Sequence, residues 1–255
     1  WLKYLVPMSG RIAKALVVDL DNTLWGGVLG EDGAEGIQLD GEYPGAAYQA
    51  VQQVLLDLSR RGVILAVCSK NDEADALKVL EKHSGMLVGP DNFSVLKINW
   101  QDKATNIRAI ADELNIGCDA IAFLDDNAAE RLWVRQSLPE VCVIELGDDP
   151  MTFADTLRWT PVFERLGLSS EDKQRSRQYV EQRQRNDLQG GMASLEDFYR
   201  SLNMHLDVFL VTSGDVARVA QLSQKTNQFN LTTRRYSEAE ISRLLDDPSF
   251  DVFAA

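Results

Sequence analysis

Short apolar runs at Ala15–Val18, Val63–Cys68, Ile121–Leu124 and Val141–Leu146 recur through the first part of this chain, and helical patterns fill the gaps between them. Runs of that length without polar alternation fit strands buried on both faces. Tyr48–Arg61 places Val51, Val54, Leu55 and Leu58 on one helix face, Asp72–His83 does the same with Ala76, Leu77 and Leu80, and Ala104–Asn115 with Ile107, Ile110, Ala111 and Leu114. Apolar strands separated by amphipathic helices predict an α/β fold, a parallel sheet with helices on both faces. Met86–Val88 is a further, shorter strand candidate.

The alternation stops around Gly147–Pro161. Asp148-Asp149-Pro150 starts a helical segment through Trp159, and Ser169-Ser170-Glu171-Asp172 caps a long polar helix reaching Leu188, which Gly190-Gly191 breaks. Beyond it the pattern predicts helix at Ser194–Leu202, strand at His205–Val211, helices at Gly214–Lys225 and Ser237–Leu245, and a strand beginning near Phe250. The expected organisation is a catalytic domain over 1–147, a helical linker over 148–190 and the start of a second, incomplete α/β domain over 191–255.

A formal charge of -13 argues against a nucleic-acid backbone as the main partner. No apolar run approaches the roughly 20 residues of a membrane helix, and no basic-apolar-small signal segment opens the chain. The 3 cysteines are widely spaced and make neither a disulfide framework nor a zinc site. A reducing, cytoplasmic setting with no membrane partner is the expectation.

The polar residues cluster at strand ends, where open α/β sheets place their active sites. The first run ends in Asp19-Leu-Asp21, followed by Thr23. Two acids two residues apart can bind one Mg²⁺ and still leave a carboxylate free to attack phosphorus or move a proton. The second run ends in Cys68-Ser69-Lys70-Asn71, with a hydroxyl placed to hold a phosphoryl oxygen; the loop Asn99-Trp100-Gln101-Asp102-Lys103 runs straight into a helix and brings an ammonium; Ile121–Leu124 ends in Asp125-Asp126-Asn127. Each has a plainer reading, since Ser69 and Asp125-Asp126 can cap helices and Lys103 can be solvated. Together they describe a phosphoryl-transfer site with its metal.

These residues carry a resemblance. Asp19-Leu-Asp-Asn-Thr23, Ser69, Lys103 and Asp125-Asp126 resemble the motifs of the haloacid dehalogenase (HAD) superfamily. More narrowly, Asp-Leu-Asp-Asn-Thr-Leu-Trp-Gly-Gly, Val67-Cys-Ser-Lys-Asn71, Asn99-Trp100 with Lys103, Phe123-Leu-Asp-Asp-Asn-Ala-Ala-Glu-Arg131 and Thr226-Asn-Gln-Phe-Asn-Leu-Thr-Thr-Arg-Arg-Tyr236 are similar to FkbH-like proteins over nearly the whole chain. The resemblance implies a HAD-like three-layer α/β/α domain followed by an acetyltransferase-like segment, which stops before any coenzyme A-binding loop, so no acetyl transfer is claimed. It also implies a glyceryl transferase and phosphatase of polyketide pathways, which takes its acyl unit from 1,3-bisphosphoglycerate and loads it on the phosphopantetheine arm of an acyl carrier protein. A plain Mg²⁺-dependent phosphatase and a scaffold with a lapsed site are the alternatives.

By the same resemblance Asp19 attacks phosphate, Asp21 protonates the leaving oxygen and then activates water, and Ser69 and Lys103 hold phosphoryl oxygens. Mg²⁺ sits between Asp19, the backbone carbonyl of Asp21 and Asp125, with Asp126 a ligand or a support behind it. Thr23, Trp25, Gly26 and Asn71 are expected beside the substrate, Thr23 more as a brace of its loop and Trp25-Gly26-Gly27 as a mobile flap. An acyl phosphate also needs a nucleophile at carbon. Cys68 is the candidate, provided the strand has ended before it, because strand neighbours point to opposite faces; the alternative is a core cysteine. Lys173, Arg175, Arg177, Arg183 and Arg185 form a basic strip that either meets an acidic carrier or is a solvated helix face.

Overall fold

The computed structural model describes residues 5, 6, 8, 9, 12–165, 179–181, 183, 207–225 and 234–254. The chain divides into two units, Trp1–Gly191 and Met192–Ala255.

In the first unit β1 (Ala15–Val18) is followed by α1 (Leu29–Gly36), α2 (Gly45–Arg60), β2 (Ile64–Ser69), α3 (Glu73–Lys82), β3 (Val95–Ile98), α4 (Lys103–Glu113), β4 (Ile121–Leu124), α5 (Ala128–Ser137), β5 (Cys142–Val143) and α6 (Phe153–Arg158). The described strands form a five-stranded sheet in the order β3-β2-β1-β4-β5, with every pairing parallel. β1 is central. The chain winds outward from it to β3, then returns to β1's other side as β4. That reversal leaves a crevice beyond the carboxyl end of β1, the usual ligand site of open α/β sheets.

All residues of β1, β2 and β4 are buried, as continuous apolar runs require. One sheet face, with Leu16, Val18, Leu65, Val67 and Leu124, packs on Val51 and Leu55 of α2, Val79 and Leu80 of α3 and Leu157 of α6. The other, with Val17, Ala66, Cys68 and Phe123, packs on Ile107 and Ile110 of α4 and Val134 of α5. The result is an α/β/α sandwich.

Two strand expectations change. Met86–Val88 is a loop rather than a strand: the amides of Leu87 and Val88 donate to Gln52 Oε1, at 2.7 and 3.3 Å. The strand lies instead at Val95–Ile98, on the sheet edge, where Lys97 pairs with Glu113 at 2.8 Å and masks the apolar pattern. The expected run Val141–Leu146 forms a ladder only at Cys142–Val143, beyond which Ile144 still donates to Phe123 O.

The second unit contains β6 (Phe209–Leu210), α7 (Val216–Lys225), α8 (Glu238–Asp246) and β7 (Phe253–Ala254), with β6 and β7 antiparallel. Val216, Ala220 and Ile241 form its small core, and Ser237 with Glu240 makes a capping box at the start of α8. The polar helix expected at 169–188 lies outside the described residues except at 179–181 and 183, which are helical; the helix expected at 194–202 lies outside them altogether. Among the described residues no helix is long and apolar enough to cross a membrane.

Candidate active site

At the end of β1 the amide of Asp19 still donates to Leu124 O, so its side chain leaves from a fixed point of the ladder. The chain then turns sharply: the amides of Thr23, Leu24 and Trp25 all return to Leu20 O, and Asn22 takes a left-handed φ of 52° while its Oδ1 accepts from Gly27 N at 2.9 Å. Asparagine tolerates that conformation better than most residues. Thr23 is fully buried; its hydroxyl accepts from Asp126 N at 3.0 Å and donates to Asp126 Oδ1 at 3.1 Å. The β1 and β4 loops are thereby tied together.

Lys103 opens α4, whose N-cap is Asp102. Its side chain is 2% exposed, and the ammonium contacts Asp19 Oδ1 at 2.7 Å and Asp125 Oδ2 at 3.2 Å, while donating to the Cys68 carbonyl at 2.7 Å. Burial alone would lower its pKa, but the charges of Asp19 and Asp125 outweigh burial and hold it well above the ordinary lysine value. Asp125 is also pushed up, to about 7, first by burial and then by the charge of Asp19.

Asp19, Asp125 and Asp126 bring their carboxylate oxygens within 4.8 Å of one another. Asp19 Oδ1 and Asp125 Oδ2 are buried, and the ammonium of Lys103 is the cation that meets both. Three carboxylates facing one ammonium leave an excess of negative charge that a hard, oxygen-seeking dication fits. Arg131 holds the Asp125–Asp126 corner from behind. Its Nη1 donates to the carbonyls of Asp125 and Asp126 at 2.8 and 2.6 Å, and its Nη2 to Leu146 O at 3.2 Å.

No family model matches this chain, and no curated protein matches it. Among solved structures it is similar to the N-terminal part of the protein BF1531 from Bacteroides fragilis, which contains a phosphatase domain complexed with Mg. The two are 41% identical with a TM-score of 0.61, over 66% of this chain and 44% of that one. The fold is that of a HAD-like phosphatase domain.

Within this HAD-like domain the rim gathers Asp19, Asp125, Asp126 and Lys103 closely. Ser69 ends β2 opposite Ile98, and its hydroxyl accepts from Asn71 Nδ2 at 3.4 Å. The Asp21 carboxylate lies outside the three-acid cluster, and the expectation places its backbone carbonyl rather than its carboxylate at the metal. Oδ1 accepts from Trp25 Nε1 at 2.9 Å and Leu29 N at 3.1 Å, and Oδ2 from Asn71 Nδ2 at 2.9 Å. Burial raises its pKa against those three hydrogen bonds.

The residues expected beside the substrate are corrected in part. Thr23 and Trp25 are fully buried with their polar groups engaged inside the domain, so Thr23 is a brace and Trp25 an anchor rather than a mobile shield. Gly26 is a packing glycine, since a Cβ there would stand 2.7 Å from Tyr48 Cε2. Asn71 is buried and reaches Asp21 and Ser69 rather than solvent. The flap is a short helix, α1, interrupted at Gly33 with a φ of 69°.

Cys68 fails the condition set for it, because β2 continues through Ser69. Its thiol lies in the apolar layer beneath α4, 3.9 Å from Lys103 O, and burial pushes its pKa up to about 12. Of the basic strip, only Arg183 is described, and it donates to the carbonyls of Pro90 and Phe93 at 3.0 and 2.7 Å.

The sequence alone assigns no role to Arg131, nor to Gln52, which ties Leu24 O to the amides of Leu87 and Val88. A long cation six residues after an acid in an otherwise amphipathic helix is the signal that could have marked Arg131. A hollow of about 850 Å³ lined by Lys14, Asp119, Glu140 and Cys142 lies at the amino ends of β1 and β4, away from the acids.

Proposed function

We propose that the HAD-like domain is a Mg²⁺-dependent phosphatase working through an aspartyl phosphate on Asp19. The observation that carries this reading is the gathering of Asp19, Asp125 and Asp126 around the buried ammonium of Lys103 at the end of the central strand. Asp19 attacks phosphorus, the bond to the leaving oxygen breaks, and Asp21 gives that oxygen its proton. Water then attacks the same phosphorus from solvent, Asp21 takes its proton, and Asp19 is restored. The raised pKa of Asp21 suits an acid that must keep its proton at higher pH than an ordinary carboxyl. Lys103 and the Ser69 hydroxyl offset and orient the equatorial oxygens. Asp19, Asp125 and Asp126, with the Asp21 carbonyl, would hold Mg²⁺, which supplies the charge that lets a carboxylate approach an anionic phosphate.

The finer proposal rests on the resemblance of the motifs: the phosphate comes from 1,3-bisphosphoglycerate and the glyceryl unit passes to an acyl carrier protein. A flap of one short helix, α1, leaves no separate cap domain between the rim and a pantetheine arm among the described residues. The phosphate half of that reaction uses the residues above. The acyl half, through Cys68, requires the layer under α4 to open. The second unit remains a proposed acetyltransferase-like segment with no acetyl transfer assigned to it.

The test is phosphate release and intact mass after incubation with Mg²⁺ and enzymatically generated 1,3-bisphosphoglycerate, for wild type, Asp19→Asn and Cys68→Ala. The phosphatase reading expects release in wild type and Cys68→Ala alike, falling by at least roughly 10³-fold in Asp19→Asn. Equal release by Asp19→Asn sinks it. A thiol-labile glyceryl adduct in wild type that is lost in Cys68→Ala supports the transferase; no adduct in either leaves the phosphatase alone.

A further inference from the structure

Lys70, the first residue after β2, reaches Glu130 in the first turn of α5, with Nζ 2.5 Å from Oε1. Because β1 lies between β2 and β4 in the sheet, the strands leading to these residues are two ladder spacings, roughly 10 Å, apart. The ion pair therefore crosses the carboxyl end of β1, where Asp19 sits. It is accessible: the Lys70 side chain is 39% exposed and that of Glu130 19%, against 2% for Lys103.

A half-exposed pair of this kind adds little to stability, about 0–1 kcal/mol. Its position matters more. Around this rim Asp19, Asp21, Asp125, Asp126 and Glu130 face Lys103 and Lys70. Lys103 is held by Asp19, Asp125 and the Cys68 carbonyl, and the Arg131 guanidinium, on a side chain only 8% exposed, is spread over main-chain carbonyls and the Glu145 carboxylate. Among the described residues at the rim, Lys70 is the cation whose counter-ion is a solvent-reachable carboxylate and can be exchanged for another anion without uncovering a buried charge.

We propose that Lys70 is a specificity-determining residue that binds a second anionic group of the substrate, a carboxylate or a second phosphate, which displaces Glu130. The inference rests on the phosphatase reading and narrows it. Glu130 holds Lys70 in place while the site is empty and makes binding of singly anionic esters no better. A substrate with a second anion gains a charge-assisted contact that a neutral analogue lacks.

The experiment compares kcat/KM for glycerol 3-phosphate, 3-phosphoglycerate and propane-1,3-diol bisphosphate, with p-nitrophenyl phosphate as a general reporter, in the full chain with Mg²⁺. Wild type should favour at least one doubly functional compound over glycerol 3-phosphate by about tenfold, through KM. Which compound gains tells carboxylate from phosphate. Lys70→Met should bring the ratio near one, Lys70→Arg should keep it, and Glu130→Gln should widen it by removing the competing carboxylate. A ratio that Lys70→Met leaves unmoved overturns the proposal, as does an equal fall on every substrate with a lowered melting temperature, the mark of a structural strap. If p-nitrophenyl phosphate is turned over while the ratio stays flat in all forms, only the role of Lys70 fails. If wild type turns over none of the phosphates, the phosphatase reading fails and takes this inference with it.

Discussion

Cys68 and Ser69 are chain neighbours in β2, and the pleat sends them to opposite sides of the sheet. Ser69 stays with the rim, while Cys68 enters the apolar layer with its thiol pushed up to about 12. At pH 8 the thiolate fraction is then negligible, and the native protein should react with Ellman's reagent first at the half-buried Cys118 and Cys142. Peptide mapping of a labelled sample checks this; Cys68 labelled as fast as Cys118 would show that the layer opens freely. Arg131 gives a second residue-level expectation. Arg131→Met removes donors from the Asp125, Asp126 and Leu146 carbonyls. It should raise the half-saturating Mg²⁺ concentration for turnover by roughly 10–100-fold while sparing most of the rate at saturating metal, as lost support behind a ligand usually does. A rate loss that no Mg²⁺ concentration recovers would give Arg131 a different part.

Among the elements, α4 depends most visibly on its first turn. Asp102 accepts from Thr105 N at 3.0 Å, Thr105 Oγ1 at 2.6 Å and Trp133 Nε1 at 3.2 Å, and the Thr105 hydroxyl does most to hold its carboxyl down at about 2. A carboxyl depressed in the folded state contributes stability that is present above its unfolded value near 4 and is lost as pH falls through about 2. Asp102→Ala should therefore cost about 1 kcal/mol at pH 6 and less at pH 3, read from urea midpoints of the two proteins. A gap that is constant with pH would mean that the cap acts without its charge. The same element shows what the sequence can carry. A helix from Ala104 was evident from its apolar spacing, and Lys103 at its head was evident as a charge at a loop end. Its burial and its grip on the Cys68 carbonyl were not, because they depend on β1, β2 and β4 meeting, which no local pattern encodes. β3 was missed because its run is only 4 residues long and Lys97 interrupts it. Trp25 was misread for the opposite reason. Glycines beside an aromatic suggest mobility, yet the indole is buried and bonded to Asp21.

For the whole molecule, the three gathered acids belong to the unit Trp1–Gly191, and the unit Met192–Ala255 has a separate small core. A ligand that binds only the folded state raises its unfolding temperature by mass action. Millimolar Mg²⁺ should thus raise the calorimetric transition of the first unit and leave that of the second in place, and Asp125→Asn should abolish the shift. An equal shift of both transitions, or a shift kept in Asp125→Asn, would place the dication elsewhere.

The bond from the Trp25 indole to Asp21 turns an aromatic ring into an optical gauge. Any excursion of Asp21 towards a phosphoryl group must loosen that bond, and an indole that loses its carboxyl acceptor changes its emission. Stopped-flow fluorescence of a form keeping Trp25 as its only tryptophan would then time the acid's travel in each turnover, without a label and without touching the chemistry.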